Sequence, residues 1–381
     1  MFLGKDRHPS YRPSERHQLS ADVAEEVIEG LQPHQNLKVL VVKGYPGTRF
    51  PNWTLPNLTE VHFTNCERCI CLPVLGALPS LSRLSLHGML SMRGIGREFY
   101  GEETERPFPS LQEFELSNFP NLQEWFDENG RAAFPILRKL IVKKCPKLTS
   151  LPLILRVSCK QPLTSLEIVS CHKICLLPSE LGSLKSLKSL KIRWCENLSS
   201  LPQGLQNLKA LELLEIADCH SIVSMPDDGI GGLSSLRSLS IENCNNLTYL
   251  SMSLQNLTCL EHLTIMYCPS LVSMPKDMHH LSALRSLTIL SCPQILSLPE
   301  ELKYVTALDC LEIGSFPGLM DLPTWIGDIS SLRSLIISDC QNLKQLPESL
   351  KLLTALQHLS IQACPKIEER CRRKLVKTGE K

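Results

Sequence analysis

LKSLKIRWCENLSSLPQGLQNLKA, residues 187–210, decides the fold, because its pattern returns along the chain. Counted from a leucine, units begin at 163, 187, 211, 236, 260, 284, 308, 332 and 356, so every step is 24 residues except one of 25. The apolar slots of the quoted unit are Leu187, Leu190, Ile192, Cys195, Leu198, Leu201, Leu205 and Leu208. Leu190 and Ile192 are two apart, the spacing of a strand that turns both side chains to one face. From Cys195 to Leu201 the slots fall three apart, whereas a helix mixes threes and fours. A bending coil with 3-10 turns suits that spacing. One unit cannot bury so many apolar side chains alone. Stacked units bury them continuously, which is the logic of a solenoid.

Working outward, the N-terminal half carries the same unit with less regular spacing. Its units begin at Leu37, Leu58, Leu81, Leu111 and Leu137, and each keeps a strand triplet such as Leu81/Leu84/Leu86. Fourteen units at strand spacing give an arc of about 60–70 Å. The expected fold is an α/β solenoid, a horseshoe or arc. A parallel β-sheet lines its concave face, and irregular, 3-10 or short helical segments form the convex side. The expected divisions are an N-terminal segment with a short capping helix (1–36), irregular repeats (37–162), regular 24-residue repeats (163–365) and a charged C-terminal cap or tail (366–381). Ser20 is placed to cap a helix from Ala21 to Glu29, with Val23, Val27, Ile28 and Leu31 as its apolar stripe. Residues 1–19 read as solvated. The long excursion from Gly88 to Pro109 is expected to loop outward, since the strands must stay in register.

Two residue types recur at fixed slots. Cysteine fills the ninth slot at 66, 145, 171, 195, 219, 244, 268, 292, 340 and 364, with Phe119 and Phe316 in its place twice. These cysteines read as small buried hydrophobes with a weak S–H donor. The Cys66, Cys69, Cys71 cluster lacks the four ligands of a zinc site. Proline follows the fifteenth slot at 73, 152, 178, 202, 226, 275, 299, 323 and 347, where a fixed φ and a missing N–H suit an outer turn.

The chain has 381 residues, 17 cysteines and a formal net charge of +1, from 40 Lys plus Arg against 39 Asp plus Glu. So even a balance argues against a nucleic-acid partner, which needs a basic excess. No apolar run is long enough to span a bilayer. The N-terminal MFLGKDRHPS does not read as a signal peptide, which points to the reducing cytosol or the nucleus. There is no phosphate loop, no G-x-G-x-x-G, no H-E-x-x-H and no G-x-S-x-G. No catalytic residue, cofactor or metal is therefore expected, and the chain reads as a non-enzyme.

The variable positions carry more information. Residues flanking the two core side chains of each strand are expected to face out on the concave sheet, among them Ile141. The candidate protein-binding face is Lys143, Lys191, Arg193, Trp194, Glu215, Asp218, Glu242 and Tyr267. Trp194 and Tyr267 stand out, because exposed aromatics dominate binding energy. Farther on, Ser286, Thr288, Leu290, Ser291, Gly314 and Ser315 read as bland.

Three stretches carry a family resemblance. EEVIEGLQPHQNLKVLVVKGYPGTRFPNW (25–53), LPVLGALPSLSRLSLHGMLSMRGIGREFYG (72–101) and CPKIEERCRRK (364–374) resemble the C-terminal leucine-rich-repeat domain of plant coiled-coil-type nucleotide-binding leucine-rich-repeat disease-resistance proteins. The resemblance implies a repeat domain that senses a pathogen effector or a host target and restrains a nucleotide-binding switch. Its implied partners are that protein ligand and a separate nucleotide-binding domain. No phosphate loop lies in these residues, so nucleotide binding is not carried over. The alternatives are a leucine-rich-repeat adaptor or substrate-receptor module, and a truncated non-signalling homologue.

Overall fold

The computed structural model describes residues 20–101, 104–126, 133–151 and 162–370. The expectations for residues 1–19, for the outer turn at Pro152 and for the tail beyond 370 lie outside the described residues. The helix α1 (Ala21–Gly30) comes first. It is followed by β1 (Val39–Lys43), β2 (Glu60–Thr64), β3 (Arg83–His87), β4 (Gly94–Ile95), β5 (Glu113–Ser117), β6 (Glu124–Trp125) and β7 (Lys139–Lys143). The regular coils supply β8 (Ser165–Val169), β9 (Ser189–Arg193), β10 (Leu213–Ala217), β11 (Ser238–Glu242) and β12 (His262–Met266). The last are β13 (Ser286–Leu290), β14 (Cys310–Gly314), β15 (Ser334–Ser338) and β16 (His358–Gln362).

All of these strands except β4 and β6 form one parallel 14-stranded sheet in chain order. Register follows the repeat: Leu190 pairs with Leu214 and Ile192 with Ile216, and both rows are buried. Identical slots thus stack into continuous apolar rows, and one core runs the length of the solenoid. The outer side holds 3-10 turns, as at Ser179–Ser183, Glu300–Tyr304 and Thr324–Asp328. Pro178, Pro299, Pro323 and Pro347 each sit extended just before such a turn and accept its first closing N–H. That is where a missing donor costs nothing.

The ninth-slot cysteines are buried, and each Sγ reaches back to the carbonyl two residues earlier, at 3.3 Å for Cys219 to Ala217. The same contact recurs at Cys195, Cys244, Cys268, Cys292 and Cys340. Burial pushes the thiols of Cys195 and Cys219 up to about 12, so they stay protonated and unreactive.

Three features differ from the sequence reading. The helix α1 forms under its Ser20 cap, but Val23, Val27 and Leu31 face away from the core. Ala24 is the residue it buries, and Ile28 packs beside it. The cause is Glu25, whose Oε1 accepts from Thr48 N and Thr48 Oγ1 at 2.7 Å each and fixes the rotation of the helix on the first coil. The excursion after Gly88, expected only to loop outward, carries buried structure as well. It adds the short parallel pair β4 and β6, and it buries an aromatic cluster in which Phe108 stacks on Phe134 at 4.6 Å. Trp125 Nε1 donates to the Tyr100 hydroxyl at 2.9 Å inside that cluster. Lastly, Ile141 is 8% exposed rather than facing solvent, flanked in register by Glu115 and Glu167.

Candidate functional site

Every strand of the long sheet is followed at once by a residue with positive φ. The row is Gly44, Asn65, Gly88, Asn118, Lys144, Ser170, Trp194, Asp218, Asn243, Tyr267, Ser291, Ser315, Asp339 and Ala363. Its physical reason lies in the ladder. The left-handed residue turns the chain out of the strand while its N–H still donates to the next coil, as Trp194 N does to Ala217 O at 2.9 Å and Tyr267 N to Leu290 O at 2.9 Å. Glycine, asparagine and aspartate tolerate this conformation, and they fill half of the row. A tryptophan at φ 58 and a tyrosine at φ 55 do not suit it. Their rings stay largely in water, 52% and 53% exposed. Neither local conformation nor the core asks for an aromatic ring there, which separates these two side chains from the fold.

Of the eight sequence-predicted residues, Lys143, Lys191, Arg193, Glu215 and Glu242 lie on the concave strands. Trp194, Asp218 and Tyr267 lie one residue past a strand end, on the rim, and not within the sheet as expected. The concave charges are already paired. Lys143 Nζ lies 3.3 Å from Glu167, and Lys191 Nζ lies 3.5 Å from Glu215. Arg193 forks onto the same Glu215 through Nε and Nη2. Register explains the pairing, because Lys191 sits between Glu167 and Glu215 on adjacent strands. Glu242 accepts from Ser240 Oγ at 2.6 Å, and Asp218 accepts from Asn243 Nδ2. Arg193 is thus held by its own chain, and a ligand would compete with Glu215 for it. Glu215 is only 15% exposed, so a ligand that draws Arg193 away must itself satisfy the guanidinium while Lys191 stays on Glu215.

The sequence reading passed over the stretch after Tyr267. There the rim opens into a groove of about 520 Å³ lined by Tyr267, Pro269, Ser291, Pro293, Ser315 and Pro317. The signal was present as small residues on the rim with proline two positions on, a pattern that reads as bland until the coils are stacked. Among the described residues no group of three or more His, Cys, Asp or Glu side chains is placed to hold a metal ion. No helix among them is long and apolar enough to cross a membrane.

A family model described as R13L1/DRL21 LRRs matches residues 10–89 and 297–364. Disease resistance RPP13-like protein 1 of Arabidopsis thaliana is 36% identical over 159 residues, which is 38% of this chain and 15% of that protein. Disease resistance protein RGA1 of Solanum bulbocastanum is 35% identical over 188 residues, which is 43% of this chain and 19% of that protein. Over the matched stretches the chain is similar to the leucine-rich repeats of plant disease-resistance proteins. The leucine-rich-repeat chain spans less than a fifth of either relative's length. Among solved structures, a Leptospira interrogans leucine-rich-repeat protein matches 94% of the chain and 93% of its own at TM-score 0.53 and 23% identity. The Drosophila Toll–Spätzle complex matches 85% of the chain and 42% of its own at TM-score 0.63 and 17% identity. At such identities the two structures support the leucine-rich-repeat fold alone.

Proposed function

We propose that this solenoid is a non-enzymatic protein-recognition scaffold of plant defence, acting in the cytoplasm or nucleus. Its ligand is a pathogen effector or a host target protein. A nucleotide-binding domain is a second partner, as in the resistance proteins it resembles. The contact face is the concave sheet with its rim: Lys143, Lys191, Arg193, Trp194, Glu215, Asp218, Glu242 and Tyr267. The observation that carries this reading is the pair of bulky aromatics in left-handed slots, Trp194 and Tyr267, where glycine, asparagine or aspartate would cost the backbone less.

The test is site-specific photo-crosslinking in extracts of infected leaves. A photoreactive amino acid is placed at position 194 on the rim or at position 203 on the convex side. Discrete protein adducts from position 194, absent from 203 and lost on adding Arg193→Ala and Asp218→Ala, are expected. Adducts that are the same from both positions, or none from 194, would overturn the assignment.

A further inference from the structure

The groove on the C-terminal rim has a shape and a period of its own. Two rows run along it from coil to coil. The left-handed row contributes Tyr267, Ser291, Ser315 and Asp339, and the second row contributes Pro269, Pro293 and Pro317. Between the rows, Cys268, Cys292, Phe316 and Cys340 are buried, so the rows themselves form the walls. The prolines carry no N–H, which leaves that wall flat and apolar at each of them. Ser291 and Ser315 leave space where a larger side chain would fill it. The Tyr267 ring stands within the groove, which continues one coil past it to Asn243 and Asn245. At the other end Asp339 is exposed and accepts from Ser315 Oγ at 3.0 Å and Gln341 Nε2 at 2.6 Å. Both donors are neutral, and the residues lining the groove include no lysine or arginine. The groove therefore offers an aromatic and proline surface ending in a carboxylate that no cation within it offsets.

The spacing selects the conformation of a ligand. Neighbouring coils repeat at about 4.8 Å, so two coils span about 9.6 Å. A polyproline helix repeats every three residues, about 9.3 Å. An extended β-strand repeats every two residues, about 6.8 Å, which matches neither one coil nor two. Only the polyproline form returns every third side chain to an equivalent pair of walls. Asp339 lies three coils beyond Tyr267, about 14 Å, or between four and five residues of such a helix.

We propose that this groove docks a polyproline-type segment of a partner protein. The segment has two prolines three residues apart and an arginine or lysine two residues further on. The first proline packs on Tyr267 and Pro269, the second on Ser315 and Pro317, and the cation meets Asp339. The proposal rests on the recognition reading above and names one class of ligand for it. Prefolded polyproline segments suit such a groove because little chain entropy is lost on docking.

Fluorescence anisotropy of the full chain with a labelled dodecapeptide containing Pro-x-x-Pro-x-Arg tests it. Binding in the micromolar range that weakens with added salt is expected. The same peptide with both prolines changed to alanine, or with arginine changed to glutamate, should bind at least about tenfold more weakly. Tyr267→Ala should weaken the parent peptide about tenfold, and Asp339→Asn about threefold with loss of the salt dependence. Ser315→Arg should close the groove to the peptide, with circular dichroism confirming that each variant keeps its fold. No binding at about 1 mM peptide, or equal binding by the alanine peptide or by the Tyr267→Ala variant, overturns the proposal. If the peptide fails while crosslinks from position 194 persist, the groove assignment falls and the recognition scaffold stands. If both fail, both fall.

Discussion

Left-handed backbone is costly for most side chains, and this chain uses it after every strand of the long sheet and again at Gly101, Phe108, Phe134 and Gly204. The cost is about 1–2 kcal/mol for a residue with a Cβ, and the inter-coil hydrogen bond made by the same residue offsets part of it. Gly44 and Gly88 show the slot in its cheapest form, and Trp194 and Tyr267 fill it with its bulkiest side chains. Ser170, at φ 55, gives a clean measure away from the candidate face. Ser170→Gly is expected to be neutral or stabilising, and Ser170→Val to cost about 1–2 kcal/mol because a β-branched side chain tolerates this region worst. Urea unfolding of the two variants checks this. Equal midpoints would mean that the slot imposes no conformational demand, and aromatic rings at Trp194 and Tyr267 would then cost the backbone nothing.

At the scale of elements, the first helix shows how one side chain sets an orientation. The Glu25 carboxylate accepts from Thr48 N and Oγ1 and from Arg49 N at 3.2 Å. The bonds from Thr48 are the chief cause that lowers its pKa below the ordinary carboxylate range. A lowered folded-state pKa means that its contribution is present above the unfolded value of about 4.3 and is lost as pH falls through the folded value. The Thr48 amide resonance should therefore hold its shift down through the ordinary glutamate range and move only at lower pH, as α1 loses its clamp. In Glu25→Gln no such titration should remain. A midpoint at or above the ordinary glutamate value would contradict the clamp. The helix was legible in the sequence from its Ser20 cap, but its buried face was not. Apolar spacing picked out Val23, Val27 and Leu31, whereas a polar bond from Glu25 turned them to solvent.

Across the whole molecule, a single repeating row of leucines made the architecture legible. Leu190, Ile192 and their equivalents could be assigned inward from spacing alone, because a unit that cannot bury itself must stack. The charged ladder was harder to read. The sequence gives Lys191, Arg193 and Glu215 as separate outward residues, and only the register shows them sharing one carboxylate. The groove past Tyr267 was hidden for the same reason, since its walls come from residues a full coil apart. Stability in such a stack is a sum over neighbours, so damage to one coil should stay local. Leu190→Ala removes a fully buried side chain from β9 and should cost about 2–5 kcal/mol there. Hydrogen exchange of that variant, resolved along the chain, reads the shared core coil by coil. Faster exchange centred on β9, weaker in β8 and β10 and absent by β14, is the predicted result; uniform acceleration through every strand, or none in β9, would contradict a stacked solenoid with one shared leucine core.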